Sequence, residues 1–267
     1  MGGRDMANIK SGNERTFNEV VETYDKMRPT YVDELYKDIF DFIKINQDSQ
    51  VLEVGIGTGQ ATGPILNTGC SITAIELGDK LAAYVERKFK EYPNFHVENV
   101  SFQDYEGQRE IFDLIYSATA FHWIPEEIGY SKVYELLKRG GVFARFANHP
   151  YKDKGKEELN VEIQKLYSVY MPHGKPSSEY TQEKAYNIAE IARKYGFSDI
   201  TYKLYKRTRI FTAEEYIALL GTYSDHIALE SNMRKEFYDK VKQVINDFGG
   251  TITIYDTIDL ELARKVC

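Results

Sequence analysis

Three glycines at alternate positions, Gly55, Gly57 and Gly59, follow the apolar run 51–54, and Glu53 stands two residues before the first of them. Bare backbone at that spacing lets a ligand approach the main chain closely. A dinucleotide fingerprint would carry a further glycine, packing a helix beneath a pyrophosphate, where this chain has Gln60 or Thr62. A P-loop is excluded because no Gly-Lys-Ser/Thr follows. A second acid, Glu76, ends the apolar stretch SITAI. A carboxylate there can accept two hydrogen bonds from neighbouring hydroxyls, a device that NAD sites share.

His122 is the side chain best suited to moving a proton near neutral pH. It lies with Trp123, the one tryptophan, just after IFDLIYS. Trp123 reads equally as core or as a pocket wall. GTYSDH, residues 221–226, interrupts a helical pattern with polar residues, which makes Tyr223 and His226 candidate substrate contacts. Two other motifs carry no chemistry. Asn-His-Pro-Tyr at 148–151 follows the fifth strand pattern, whereas the N-P-P-Y of amino-group methyltransferases follows the fourth. Y-x-x-x-K occurs five times in a chain rich in both residues, which is chance.

These residues need elements to position them. Apolar residues at Leu35, Ile39, Phe42 and Ile43 predict a helix over 33–45. Strands are predicted at 51–54, 71–75, 95–97, 111–117 and 142–146. Between them lie a short irregular helix at 61–66, one from Leu81 to Tyr92, and one at 132–139 stopped by Gly140-Gly141. Apolar strands alternating with helices predict a parallel sheet covered on both faces. After Pro150 the alternation stops. Helical patterns run through Leu159–Tyr170, Ala185–Ala192 and Met233–Phe248. ITYKLYK and TITIYDTIDLEL alternate strictly, as antiparallel edge strands with one wet face do.

The string E-x-G-x-G-x-G resembles motif I of the class I S-adenosylmethionine-dependent methyltransferases. Val100 to Ile124, which contains SATAFHW, and the segment YDKMRPTY at 24–31 resemble the trans-aconitate methyltransferase-like small-molecule subgroup. The resemblance covers about residues 17–150. It implies a Rossmann-like α/β fold: a seven-stranded, mostly parallel sheet of order 3-2-1-4-5-7-6, strand 7 antiparallel, with helical cap insertions. It implies S-adenosyl-L-methionine as cofactor and a small organic molecule as methyl acceptor. Gly55, Gly57 and Gly59 would pass the amino-acid tail and ribose, with Glu53 near the tail's ammonium. Glu76, with Leu77, would hold the ribose hydroxyls. Ser101 and Phe102 would flank the adenine, and Ser117, Ala118 and Thr119 would end the fourth strand beside the cofactor. Tyr24, Arg28 and Tyr31 would close over the methionine end, Arg28 pairing with its carboxylate. His122 would begin the substrate side with Trp123, and would serve as base if the acceptor carries a proton to lose.

The residues divide into an N-terminal stretch 1–16 expected to be mobile, a cofactor-binding core 17–150, and a remainder 151–267 of cap helices and the last two strands. A formal net charge of −7 offers no broad attraction to a phosphate backbone, so no nucleic-acid partner is expected. Two cysteines make neither a disulfide framework nor a metal cluster. No apolar run reaches a membrane span and no signal pattern opens the chain, so a cytoplasmic protein is expected. Three rivals remain: an NAD-dependent oxidoreductase, a nucleic-acid or protein methyltransferase, and a non-catalytic cofactor-binding protein.

Overall fold

In the computed structural model, which describes residues 21–174 and 178–266, seven strands form one sheet of order β3-β2-β1-β4-β5-β7-β6. The stretch expected to be mobile, 1–16, lies outside the described residues. Helices α1 (Val21–Met27) and α2 (Asp33–Phe42) precede β1 (Gln50–Val54), α3 (Thr62–Leu66), β2 (Ser71–Ile75), α4 (Asp79–Lys88) and β3 (Phe95–Glu98). Then come β4 (Phe112–Ala118), α5 (Glu126–Leu136), β5 (Leu137–Lys152), α6 (Glu157–Tyr170), α7 (Gln182–Ala189) and β6 (Phe197–Thr212). The chain ends with α8 (Ala213–Leu220), α9 (Ser224–Ile227), α10 (Ser231–Asp247) and β7 (Thr251–Lys265). Strands β1 to β5 pair in parallel, and β7 runs antiparallel between β5 and β6.

The parallel strands are continuous apolar runs because helices cover both faces. On one face Val51, Leu114, Val142 and Leu260 pack with Leu35 and Ile39 of α2. On the other, Leu52, Ile115 and Phe143 pack with Tyr130 and Val133 of α5. A third cluster, built from α6, α8, α10 and the outer ends of β6 and β7, forms a cap around Phe237.

Four expectations change. The helix predicted at 132–139 runs from Glu126 to Leu136. It starts behind Pro125 with Glu126 and Glu127 in its first turn, where acids suit the helix dipole. It stops early because Leu137 pairs with Phe112 in the sheet ladder. The helix through Ala192 breaks after Ala189 into a 3-10 segment, Glu190–Tyr195. Helix α8, the pattern that residues 221–226 interrupt, has no predicted start, and Thr212 and Glu215 set it with a capping box in front of an apolar run. Strand β7 is no edge strand with a wet face, since it is buried on both sides from Asp256 to Ala263.

The second face of β7 is polar and buried. Asp259 accepts hydrogen bonds from the Ala147 amide (2.8 Å), His149 Nε2 (3.0 Å) and the Tyr180 hydroxyl (2.5 Å). The His149 ring stacks on Tyr180 with centroids 3.6 Å apart. Alternation of residue type at 257–261 therefore reflects polar packing beneath α7 as much as solvent.

Glu53 is also buried, at 1% exposure. Its Oε2 accepts from the hydroxyls of Tyr116 (2.6 Å), its neighbour across the β1–β4 ladder, and Thr62 (2.7 Å). Burial pushes its carboxyl up from 4.5 to about 7. The unfolded chain would release this proton near 4.5 whereas the folded one keeps it to about 7, so stability falls as pH rises between those values, by about 3 kcal/mol. Glu53→Gln should accordingly gain about that much relative to the parent between pH 5 and 8 in urea unfolding. A pH-independent difference would show that Glu53 ionises normally. In the cap, Phe237 is fully buried between the rings of Tyr167 and Tyr170. Phe237→Ala should cost roughly 3–5 kcal/mol in the same measurement.

Candidate active site

The turn after β1 leaves the sheet at Gly55, and the backbone is left-handed at Gly57 (φ +60°) and Gly59 (φ +82°), which side chains rarely allow. The two glycines serve different ends. A Cβ on Gly59 would lie 2.5 Å from the Phe89 ring, so its bareness serves packing. One on Gly57 would meet nothing nearer than a Tyr24 ring carbon at 3.9 Å, on the open side of the turn. Glu76, at the end of β2, holds that turn. Its Oε2 accepts from Gly57 N (2.9 Å) and its Oε1 from Gly78 N (2.8 Å). It is 7% exposed, and burial raises its pKa against the two amides that stabilise its charge.

A cavity of about 410 Å³ opens over the carboxyl ends of β1, β2 and β4. Gly55, Gly57, Glu76 and Leu77 line one side, Ser101 and Phe102 another. Ala118 and Thr119 form the β4 wall, and Trp123 stands beside them. Thr119 adopts φ +57°, an uncommon conformation for a β-branched residue. The Tyr31 hydroxyl hydrogen-bonds its Oγ1 at 2.6 Å, and its amide donates to Phe146 O at 2.8 Å.

Tyr24, Arg28 and Tyr31 close the cavity from above. The Arg28 guanidinium lies over the rings of Tyr24 (4.9 Å) and Tyr223 (4.4 Å), and its Nη2 donates to Thr222 O at 2.7 Å. Its buried Nε has no hydrogen-bond partner among the described residues.

Five expected site residues do not line this cavity. Glu53 is turned onto Tyr116 and Thr62 behind the loop. Gly59 faces Phe89. Ser117 is fully buried and donates to Val54 O at 2.8 Å, bracing β1 against β4. His122 sits in a 3-10 turn, Phe121–Trp123, with its ring 5.1 Å from that of Trp123, and lines neither described cavity. His226 is 2% exposed in α9, inside the cap, where Tyr167 hydrogen-bonds its Nε2 at 3.1 Å.

The structure adds residues that sequence reasoning missed. Asn148, Pro150 and Arg209 line the cavity from β5 and β6. Asp256, buried at 1%, gathers them: Arg209 donates to it through Nε (2.6 Å) and Nη2 (2.9 Å), Arg207 through Nε (3.1 Å) and Nη2 (3.0 Å), and Asn148 through Nδ2 (3.1 Å). Arg207 also donates to Thr30 O at 2.5 Å, tying the N-terminal segment to the late strands. The one signal in the sequence was the aspartate amid the apolar alternation of β7. Among the described residues no group of three or more His, Cys, Asp or Glu could hold a metal ion, and no helix is long and apolar enough to cross a membrane.

The residues fit an adenosyl amino acid. Such a molecule needs a carboxylate for two ribose hydroxyls, a bare turn with no diphosphate to hold, and a cation for its carboxylate. Glu76, Gly57 and Arg28 are groups of those kinds, gathered on one cavity. Residues 51–141 match the family model described as a methyltransferase domain. An uncharacterized methyltransferase of Schizosaccharomyces pombe is 24% identical over 86% of this chain and 87% of its own length. The trans-aconitate 2-methyltransferase of Deinococcus radiodurans is 27% identical over 57% of this chain and 60% of its own. The fold is shared with a protein of Anaeromyxobacter dehalogenans proposed to be a type II methyltransferase (TM-score 0.64, 16% identity, 90% of this chain and 98% of that one). It is shared too with the Haemonchus contortus phosphoethanolamine N-methyltransferase 2 in complex with S-adenosylhomocysteine (TM-score 0.57, 14% identity, 95% of this chain and 60% of that one). The matched domain spans the glycine turn, β4 and the start of β5, a relative named as a methyltransferase aligns with most of the chain, and the chain thus carries an S-adenosylmethionine-dependent methyltransferase domain.

Proposed function

We propose that the protein transfers the methyl group to a small organic molecule, and that the cavity over the strand ends is where the cofactor sits. One observation carries the placement: the buried Glu76 carboxylate, held by the Gly57 and Gly78 amides, on the wall of the cavity. In this reading Glu76 accepts the ribose hydroxyls, Ser101 and Phe102 flank the base, and Tyr24, Arg28 and Tyr31 cover the amino-acid end. Arg28 Nε, which lacks a partner among the described residues, suits a carboxylate there. Glu53, Gly59 and Ser117 act from behind, keeping the turn and the β1–β4 junction in place. The cofactor supplies a methyl group on a sulfonium, and in-line displacement by an acceptor's electron pair returns the carbon–sulfur pair to sulfur. The protein's share is to position the acceptor and exclude water, which the aromatic cover of Tyr24, Tyr31, Trp123 and Tyr223 serves.

The small-molecule reading rests on two supports. The net charge of −7 gives no field suited to nucleic acid. Relatives of similar length or less carry names that point to aconitate and to malonyl-[acyl-carrier protein], and longer ones to a sterol. His122 is not assigned as a base, because it lines neither described cavity.

Calorimetric titration with S-adenosylhomocysteine should show one site per chain. Glu76→Gln should weaken it roughly 10- to 100-fold, the range for a charged hydrogen-bond acceptor. Undiminished affinity in that variant would remove the ribose from Glu76. Binding of NAD in place of S-adenosylhomocysteine would overturn the whole placement.

A further inference from the structure

A second cavity, of about 550 Å³, lies inside the cap between α6, α8, α9 and the outer ends of β5 and β7. It shares Pro150 and Tyr223 with the cofactor cavity. Its apolar part is Ile163 from α6, Leu219 and Leu220 from α8, and Ile252 and Ile254 from β7, all buried; Asn160, Gln164 and Ser168 of α6 line it as well. The rings of Tyr167, Tyr216 and Tyr223 add flat apolar area with a polar tip. One hydrogen-bonded pair stands out among its polar groups. Tyr167 and His226 are hydrogen-bonded through Nε2, and the other ring nitrogen of His226 is buried with no partner among the described residues. Burial lowers the pKa of this imidazole, which favours its neutral form. The charged residues of the lining, Lys152 and Asp225, have opposite signs.

We infer that this cavity holds the body of the methyl acceptor, and that the acceptor is an uncharged ring or chain compound, apolar in part, with a hydrogen-bonding group near Tyr167 and His226. The inference rests on the methyl-transfer reading above and deepens it. A nucleoside joined to an amino acid takes up much of a 410 Å³ space, so an acceptor of any size must extend elsewhere. The wall at Pro150 and Tyr223 is where the two spaces meet, and the Arg28 guanidinium rests on the Tyr223 ring at that boundary. Apolar side chains with polar groups placed among them are how proteins hold such ligands. A small polyanion would instead seek Arg28 and Arg209 in the first cavity.

The test uses the full chain saturated with S-adenosylhomocysteine and titrated with 2-naphthol, followed by its fluorescence, and in parallel with succinate by calorimetry. 2-Naphthol should bind at one site with Kd below roughly 1 mM. Met171→Trp, which fills the cavity from the end of α6, should weaken it ~10-fold or more. Tyr167→Phe should weaken it ~3- to 10-fold. Both variants should keep the parent's affinity for S-adenosylhomocysteine, which also shows that they fold. Absence of 2-naphthol binding to the saturated protein, equal binding by both variants and parent, or saturation by succinate alone would overturn the inference. Failure of the parent to bind S-adenosylhomocysteine would instead defeat the cofactor placement.

Discussion

A carboxylate, nearly cut off from water, ties the turn after β1 to the end of β2. Glu76 accepts from Gly57 and Gly78, so one side chain spans the end of β2 and the turn after β1. Amides aimed at a buried carboxylate offset part of its desolvation. Glu76 thereby makes this wall of the cavity acidic and holds the glycine backbone beside it. The rest of the site depends on it. Ser117 fixes β4 against Val54, and Glu53 bonds Tyr116 of β4 and Thr62 of α3, so the turn sits on a rigid floor.

The roof is assembled differently. Strands β5, β6 and β7 run about three times the length of β1 and β2, and their outer halves carry the cap cluster. Where cap meets core, two arginines converge on the buried Asp256. Breaking such a group by removing one partner is costly, because an uncompensated charge stays buried. Its geometric effect matters as much. Arg207 reaches Thr30, and Arg28 reaches Thr222, so the segment from Tyr24 to Tyr31 is clamped to late strands and cap by hydrogen bonds to backbone oxygens. The cover over the cofactor cavity and the walls of the cap cavity are therefore one connected body, meeting at Tyr223.

Much of this was legible without coordinates. The apolar runs of β1, β2 and β4 read as buried parallel strands because each is short, continuous and punctuated by glycine or a polar turn. Gly55, Gly57 and Glu76 sit at strand ends that local sequence places, whereas Ser101, Phe102, Ala118 and Thr119 were legible through the resemblance. Glu53, Gly59 and Ser117 were expected at the cavity from the resemblance, yet they point behind it. The alternation of a strand decides which neighbours share a face, and not how far a side chain reaches past the end of the ladder. Helix α8 had its capping box in plain view, whereas the end of α5 was set by sheet pairing that no local pattern announces.

Sequence by itself determined the chemistry of the turn, the acid at the end of β2 and the apolar strands that carry both, because these are patterns of residues close in the chain. Tertiary structure alone decided that β7 is buried on both faces, that Arg209 comes to the cavity, that His122 stays out of it, and that a second space opens behind Tyr223. Those outcomes depend on pairings between residues far apart along the chain, such as Arg207 with Asp256 and Arg28 with Thr222. The free energy of such contacts comes from burial and charge compensation that exist once the chain has closed on itself.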